Sequence, residues 1–174
     1  MSEVKRGLLL VNTGNGKGKS TAAFGVAFRA IGHGLTVSII QFIKGKWKTG
    51  ELAAAKRLGL EMTPMGKGFT WESKNLAEDK DLMRNAWEVA SEKILSGQYD
   101  LIILDEINYV LGYGYLPVDG VVRCLQARPP HVHVVLTGRN AAEEIISIAD
   151  CVTEMREIKH PYRNGIPAQK GIDY

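Results

Sequence analysis

The residues best suited to chemistry lie near the start of the chain, in a glycine-rich stretch that follows an apolar run. The stretch reads Thr13-Gly14-Asn15-Gly16-Lys17-Gly18-Lys19-Ser20-Thr21. Glycines let the backbone curl so that successive N–H groups point at phosphate oxygens. A helix that begins at Lys19 adds unpaired N–H groups and the positive end of its dipole. The order of strand, glycine loop and helix therefore predicts a binding site for a triphosphate.

Two side chains of this stretch have the chemistry that a triphosphate site requires. Lys19 can reach the phosphates as a point charge, and Ser20 can offer its hydroxyl to a magnesium ion. The predicted phosphate-binding residues are Gly14, Asn15, Gly16, Lys17, Gly18, Lys19, Ser20 and Thr21. The P-loop pattern places its first glycine where this chain has Thr13, so the match is incomplete. A flexible loop between a strand and a helix is the alternative interpretation.

Two carboxylates end a later apolar run. Asp105 and Glu106 follow four consecutive aliphatic residues, Leu101 to Leu104. In P-loop proteins a carboxylate at such a strand end holds Mg²⁺, directly or through water. We therefore expect Ser20, Asp105 and Glu106 to supply the metal ligands, although the sequence does not choose between the two carboxylates. An acidic strand end facing solvent is the alternative.

One arginine and one aromatic pair complete the candidates. Arg139 follows a strand and could pair with phosphates through its planar fork, although a plain surface position fits equally well. Phe69 and Trp71 lie in a segment with glycines on its N-terminal side. These rings suit either a flat apolar ligand or the filling of a core beneath a loop.

Other reactive side chains show no recognisable site pattern. His131 and His133 share one face of a strand, but no third ligand follows at a metal-binding spacing, so we interpret them as packed or solvent-facing. Cys124 and Cys151 lie far apart, which argues against a metal or disulfide framework, and we expect both to be small buried apolar residues. No Ser/His/Asp or Cys/His set indicates a side-chain nucleophile.

Strands and helices alternate along the chain, and this order predicts an α/β fold. The predicted strands are Gly7–Thr13, Thr36–Phe42, Leu60–Thr63, Asp100–Glu106, His131–Thr137 and Asp150–Glu157. The predicted helices are Lys19–Gly32, Glu51–Leu58, Asn75–Gly97, one that opens at Pro117 and ends before Arg128, and Asn140–Ala149. A stretch of tyrosines and glycines, Tyr109–Tyr115, separates the fourth strand from the helix at Pro117.

Such alternation favours a doubly wound, mostly parallel sheet flanked by helices, in a single domain over residues 1–174. Ligands of these sheets collect at the carboxyl ends of the strands. Four informative stretches follow strands, namely the phosphate loop, Gln41–Trp47, Asp105 with Glu106, and Thr137–Arg139. We therefore expect them to converge on one edge of the sheet.

Net charge and the distribution of apolar residues indicate which kinds of partner and cellular location to expect. A net charge of +3 does not call for nucleic acid as a partner, although it suits anionic substrates. Residues 1–6 lack the apolar core of a signal peptide, and no apolar run approaches membrane-spanning length. We therefore expect a cytoplasmic protein that has no membrane partner.

The chain resembles the ATP:corrinoid adenosyltransferases of the CobA type over nearly its whole length. The resemblance is carried by Thr13–Thr21, Gln41–Gly45, Gly68–Glu72, Leu104–Glu106, Tyr115–Pro117, Ala127–Pro129, Thr137–Arg139 and Gly171–Tyr174. It implies a RecA-like P-loop domain, usually homodimeric. It also implies transfer of the 5′-deoxyadenosyl group of ATP to the Co(I) of a corrinoid, such as cob(I)alamin or cob(I)yrinic acid a,c-diamide, with release of triphosphate.

The resemblance also assigns roles. The Co(I) centre is then the nucleophile, so Lys19 and Glu106 are the catalytic candidates because they serve the departing triphosphate and its Mg²⁺. Arg139 belongs with the ATP-binding residues, and Phe69 and Trp71 are candidates for packing against the lower face of the corrinoid. A reducing flavoprotein is the implied partner. Two alternatives stay open at this point: a P-loop kinase or ATPase that splits the β–γ bond, and a non-catalytic module that binds nucleotide or corrinoid.

Overall fold

The computed structural model describes residues 6–43, 45, 49–67 and 76–173, the side chain of Leu76 excepted. The strands are Leu9–Thr13 (β1), Val37–Gln41 (β2), Glu61–Pro64 (β3), Leu101–Asp105 (β4), His133–Thr137 (β5) and Cys151–Glu154 (β6). The helices are Lys19–Gly32 (α1), Gly50–Arg57 (α2), Leu76–Ser96 (α3), Ile107–Gly112 (α4), Val118–Ala127 (α5) and Glu143–Ile148 (α6). A 3₁₀ turn covers Pro161–Asn164.

The strands form one sheet in the order β3-β2-β4-β5-β1-β6, and every pairing is parallel. Parallel strands need crossover connections, and here helices supply them on both faces of the sheet. Helices α3 to α6 pack on one face against the larger apolar cluster. Helix α1 packs on the other face through Ala23, Ala27 and Ala30. The predicted doubly wound parallel sheet is confirmed.

Burial on both faces explains why the central strands are apolar at successive positions. In β4, Ile102 and Leu104 pack into the cluster beneath α3 to α6, whereas Leu101 and Ile103 pack beneath α1. Successive side chains of a strand point to opposite faces, so a strand covered by helices on both sides needs an unbroken aliphatic run. The same run brings Asp105 to the carboxyl end of the sheet.

The register of the sheet sets the functional edge. Gln41 at the end of β2 pairs with Asp105 at the end of β4, and Asn12 of β1 pairs with Thr137 at the end of β5. The carboxyl ends of four neighbouring strands therefore finish at nearly the same height. The loops that follow these strands therefore start side by side. This is the convergence on one edge of the sheet that the alternation of strands and helices predicts.

The structure corrects several of the expected elements, including β1, which begins at Leu9 instead of Gly7, and α6, which begins at Glu143 instead of Asn140. The stretch Tyr109–Tyr115 contains most of a helix, α4, which begins directly after Glu106. Strand β5 begins at His133 instead of His131, because the chain is still turning there and Val132 N–H donates to Pro129 O. Strand β6 ends at Glu154, three residues before the expected end.

The expectation of buried cysteines is wrong for Cys151. Cys151 is exposed and Cys124 is half-buried. Strand β6 is an edge strand, and all four of its residues are exposed, so a cysteine there is not covered by a helix. Within the described residues, no helix combines the length and apolar character needed to span a bilayer.

The aliphatic run of β4 is expected to dominate stability. Leu104 is fully buried between β5, β2 and the helices of one face, so Leu104→Ala should lower the free energy of unfolding by about 2–5 kcal/mol. Urea denaturation measures this loss. Leu95→Ala on α3 is the matched control, because Leu95 is 48% exposed, and it should change stability by less than about 1 kcal/mol. Equal losses in the two variants would contradict the proposed core.

Candidate functional site

The glycine-rich loop between β1 and α1 is curled and closely packed. Gly14 and Gly18 have φ of 91° and 109°, in the left-handed region that favours glycine. Gly16 N–H donates to Met155 O at 2.6 Å. A Cβ atom at Gly16 would lie 2.7 Å from that same oxygen. Each of these three glycines is therefore required by the loop's shape or by the chain that packs behind it.

Lys19 lies inside this loop. Its ammonium donates to Gly14 O at 2.8 Å and to Gly16 O at 2.6 Å, and the residue is only 8% exposed. Burial lowers the pKa of Lys19 below the usual lysine value, while the negative charge of Glu106 opposes that shift. The loop therefore holds a cation at its centre, next to the N-terminus of α1.

A polar cavity of about 250 Å³ opens over the loop. Most of the predicted phosphate and metal residues line it, and these are Asn15, Gly16, Lys17, Gly18, Lys19, Ser20, Thr21, Glu106 and Arg139. Gly14 shapes the loop without lining the cavity. The structure therefore brings the phosphate loop, one carboxylate of the acidic pair and the arginine after β5 to one place.

The acidic pair separates into two environments. Asp105 is fully buried and does not line the cavity, and both of its carboxylate oxygens accept hydrogen bonds. Thr137 Oγ1 donates to Asp105 Oδ1 at 2.9 Å, and Gln41 Nε2 donates to Asp105 Oδ2 at 3.0 Å. Glu106 is half-buried and does line the cavity.

Glu106 has an unusual backbone. Its φ is 68°, in the left-handed region that residues with a side chain seldom adopt. Its N–H donates to Thr137 Oγ1 at 2.8 Å, and its carbonyl accepts from Tyr109 N–H as α4 begins. The pKa of Tyr109 is raised by burial and by the negative charge of Glu106. The left-handed turn thus sets Glu106 at the junction of β4 and α4, beside the cavity.

Sequence reasoning missed four residues that line the cavity: Glu51, Tyr109, Ile172 and Asp173. The last two come from the C-terminal segment, where Lys17 donates to Asp173 Oδ1. Asp173 Oδ2 accepts from Gln169 N–H at 2.8 Å, which closes a turn over residues 169–173. The Lys17 ammonium lowers the pKa of Asp173. The resemblance included this segment but gave it no role.

The remaining predicted residues fall into two groups. Phe69 and Trp71 lie outside the described residues. His131 and His133 have structural partners: His131 Nε2 lies 3.1 Å from Gly97 O, and Leu8 N–H donates to His133 Nδ1 at 3.0 Å. The interpretation of these histidines as packed or solvent-facing is confirmed.

The oxygen donors of the cavity suit magnesium. Ser20 and Glu106 both line it, and hydroxyl and carboxylate oxygens are the donors that this hard cation prefers. Mg²⁺ commonly takes one or two protein ligands and completes its shell with substrate phosphates and water. Within the described part of the chain, no cluster of three or more His, Cys, Asp or Glu side chains offers an all-protein metal cage. The donors present therefore fit a magnesium ion bound together with a phosphate ligand.

The curled loop on β1, the acidic end of β4 and the strand order define the chain as a P-loop protein with a RecA-like fold. The structure is similar to the crystal structure of the flagellar accessory protein FlaH from Methanocaldococcus jannaschii. The TM-score is 0.60 at 13% identity, over 87% of this chain and 72% of that one. Similarity at this identity shows the fold alone.

Sequence comparisons identify the family. The sequence model of the ATP:corrinoid adenosyltransferases BtuR/CobO/CobP matches residues 5–174. A corrinoid adenosyltransferase of Sinorhizobium sp. is 49% identical, over 98% of this chain and 81% of the relative. The corrinoid adenosyltransferase CobA of Salmonella typhimurium is 43% identical, over 99% and 88%. The chain belongs to the ATP:corrinoid adenosyltransferase family, and it is an ATP-dependent transferase. The resemblance seen in its motifs is confirmed.

The buried ammonium of Lys19 leads to a pH prediction. Because burial lowers its pKa, Lys19 should lose its proton at a pH below the usual lysine value of about 10.4. Affinity for inorganic tripolyphosphate, measured by calorimetry, should therefore fall as the pH rises into that range. Lys19→Arg keeps its charge there and should bind with a flatter pH profile. Identical pH profiles of affinity for the wild type and Lys19→Arg would contradict the role of the Lys19 ammonium in binding phosphate.

The contact between Lys17 and Asp173 leads to a second prediction. Asp173→Asn removes a negative charge from the cavity wall and releases Lys17, so tripolyphosphate should bind more tightly, by up to about fivefold. The gain should shrink at high salt, because the pair is exposed to screening. Asp81→Asn removes the same charge from the exposed face of α3 and should leave the affinity unchanged. Weaker binding by Asp173→Asn would show that the carboxylate supports the site.

Proposed function

We propose that the polar cavity binds Mg-ATP and that the chain uses it to transfer the 5′-deoxyadenosyl group of ATP to the Co(I) of a corrinoid. One observation carries this assignment. The phosphate loop, Ser20 and Glu106 line a single cavity, and the Lys19 ammonium is held in the loop itself. Family membership supports the two substrates, ATP and corrinoid.

The proposed reaction forms a bond between cobalt and C5′ of the ribose and breaks the bond between C5′ and the triphosphate oxygen. The cobalt supplies the electron pair of the new bond. The electron pair of the broken bond departs with the triphosphate. The protein's task is then to stabilise the negative charge that grows on this leaving group. We assign this task to the loop N–H groups, the N-terminus of α1, Lys19 and Arg139, because these groups line the cavity.

Magnesium would be held by Ser20 and Glu106, and when bound it neutralises part of the triphosphate charge. We assign this role to Glu106 in preference to Asp105, because Glu106 lines the cavity while both oxygens of Asp105 are used by Gln41 and Thr137. Asp105 then supports the site without being a ligand.

The corrinoid is the nucleophile in this scheme, so the cavity needs no side-chain nucleophile. Ser20 and Thr21 line it, but its described lining contains no histidine, the side chain most often used as the general base that activates a hydroxyl. Phe69 and Trp71 are our proposed contacts for the lower face of the corrinoid, on the basis of the sequence motif. A reducing flavoprotein as partner, a homodimeric assembly and a cytoplasmic location are further proposals that rest on the resemblance.

An anaerobic assay tests the reaction. The protein is mixed with Mg-ATP and chemically reduced cob(I)alamin, the cobalt absorbance is followed, and the phosphorus product is identified. A light-sensitive alkylcobalamin together with triphosphate is the expected result. ADP and phosphate without alkylation would overturn the proposal in favour of an ATPase, and the absence of any reaction would favour a binding module.

The assignment of Glu106 leads to a variant prediction. Glu106→Gln keeps the side chain's shape but removes its charge, so kcat should fall by about 100-fold or more, because metal-assisted leaving-group stabilisation is lost. The loss should be smaller at high Mg²⁺ concentration. Glu143→Gln is the matched control, since Glu143 is exposed in the first turn of α6, and it should behave as the wild type. A normal kcat in Glu106→Gln would contradict the assignment.

A further inference from the structure

A buried threonine hydroxyl connects the acidic strand end to its neighbour. Thr137 is the last residue of β5 and is fully buried. Its Oγ1 accepts from Glu106 N–H at 2.8 Å and donates to Asp105 Oδ1 at 2.9 Å. The only proton of the Thr137 hydroxyl is thus directed to the Asp105 carboxylate. A lone pair of the hydroxyl oxygen therefore faces the Glu106 N–H.

The network continues into a third strand. Gln41, the last residue of β2, donates from Nε2 to the other oxygen of Asp105 at 3.0 Å. Gln41 is 1% exposed, and Asp105 and Thr137 are fully buried. Parallel pairing sets the ends of β2, β4 and β5 side by side, and this makes the chain of hydrogen bonds from Gln41 through Asp105 to Thr137 geometrically possible.

The network ends at the N–H of Glu106, and the backbone conformation of Glu106 decides where its carboxylate lies. Glu106 has a φ of 68°, a region that Cβ-bearing residues seldom adopt without support from their surroundings. Its N–H donates to Thr137 from this conformation, and α4 begins at the next residue. A different φ at Glu106 would move both its side chain and the start of α4.

We propose that Thr137 is a positioning residue for the reaction. Oriented by Asp105 and Gln41, its hydroxyl holds Glu106 in the left-handed conformation that directs the carboxylate into the phosphate cavity. This inference rests on the proposed function, because it takes Glu106 as the magnesium ligand. It also gives Asp105 a specific task, which is to accept the threonine proton.

Two substitutions at position 137 separate the hydroxyl from the shape of the residue. Thr137→Val keeps the branched shape but leaves the Glu106 amide and Asp105 Oδ1 without this partner. Thr137→Ser keeps the hydroxyl and loses only a methyl group. The experiment measures binding of Mn²⁺, as a magnesium substitute, to the full chain with bound ATP, by electron paramagnetic resonance. Glu106→Gln is measured in parallel.

We expect Thr137→Val to weaken Mn²⁺ binding by about 10- to 100-fold, the usual effect of removing a partner that orients a metal ligand. Thr137→Ser should stay within about threefold of the wild type, since its hydroxyl can repeat both hydrogen bonds. Binding of tripolyphosphate in the presence of EDTA should be the same in Thr137→Val and Thr137→Ser as in the wild type, because position 137 lies outside the phosphate loop and neither substitution changes a charge. This metal-free measurement separates a positioning role from general damage to the fold.

The outcomes are distinct. If Glu106→Gln weakens Mn²⁺ binding but Thr137→Val does not, the positioning role is overturned and the role of Glu106 stands. If Glu106→Gln leaves Mn²⁺ binding unchanged, the metal assignment under the proposed function fails first. If Thr137→Val weakens metal-free tripolyphosphate binding equally, the positioning role is also overturned.

A second measurement covers the case in which Thr137→Val does not fold. Amide hydrogen exchange of the wild type should show Glu106 N–H protected to the same extent as the amides of β4. Thr137→Ser should retain that protection. Rapid exchange of the Glu106 amide in the folded wild type would overturn the inference, because the hydrogen bond to Thr137 would not be holding the residue.

Discussion

The parallel register of β2, β4, β5 and β1 is the constraint on which the rest of the structure depends. Because Gln41 pairs with Asp105 and Asn12 with Thr137, the polar residues that end these strands lie side by side at one edge. Helices cover both faces of the sheet, so the strands themselves are aliphatic and their chemistry is confined to the ends. A shift of one strand by one residue would turn its side chains to the opposite face of the sheet and displace its polar end from those of its neighbours.

The charges of the described residues that line the cavity are balanced. Among these residues, three cations, Lys17, Lys19 and Arg139, face three carboxylates, Glu51, Glu106 and Asp173. Lys19 donates to two loop carbonyls and Lys17 donates to Asp173. Because an ammonium group has three N–H donors, each lysine can add a phosphate oxygen to these contacts.

Fold and activity are separate properties of this chain. A flagellar accessory protein shares the fold at 13% identity, and a phosphate loop on a parallel sheet serves many reactions. Membership of the adenosyltransferase family rests instead on similarity along nearly the entire chain. In the proposed reaction the loop stabilises a departing triphosphate, whereas in an ATPase the same groups would stabilise a transferred phosphoryl group. The difference lies in which atom is attacked, and that is decided by the second substrate.

The sequence by itself determined the order of the main strands and helices, the phosphate loop and the acidic strand end, because each is written in neighbouring residues through periodicity or local composition. It did not reveal α4, whose six residues are too few to show a helical period. Only the tertiary structure decided that Asp105 is buried while Glu106 lines the cavity, and that Asp173 lies there as well. Those outcomes depend on contacts between residues 32, 64 and 156 positions apart, and such contacts are set by how the strands register and pack, which no local pattern records.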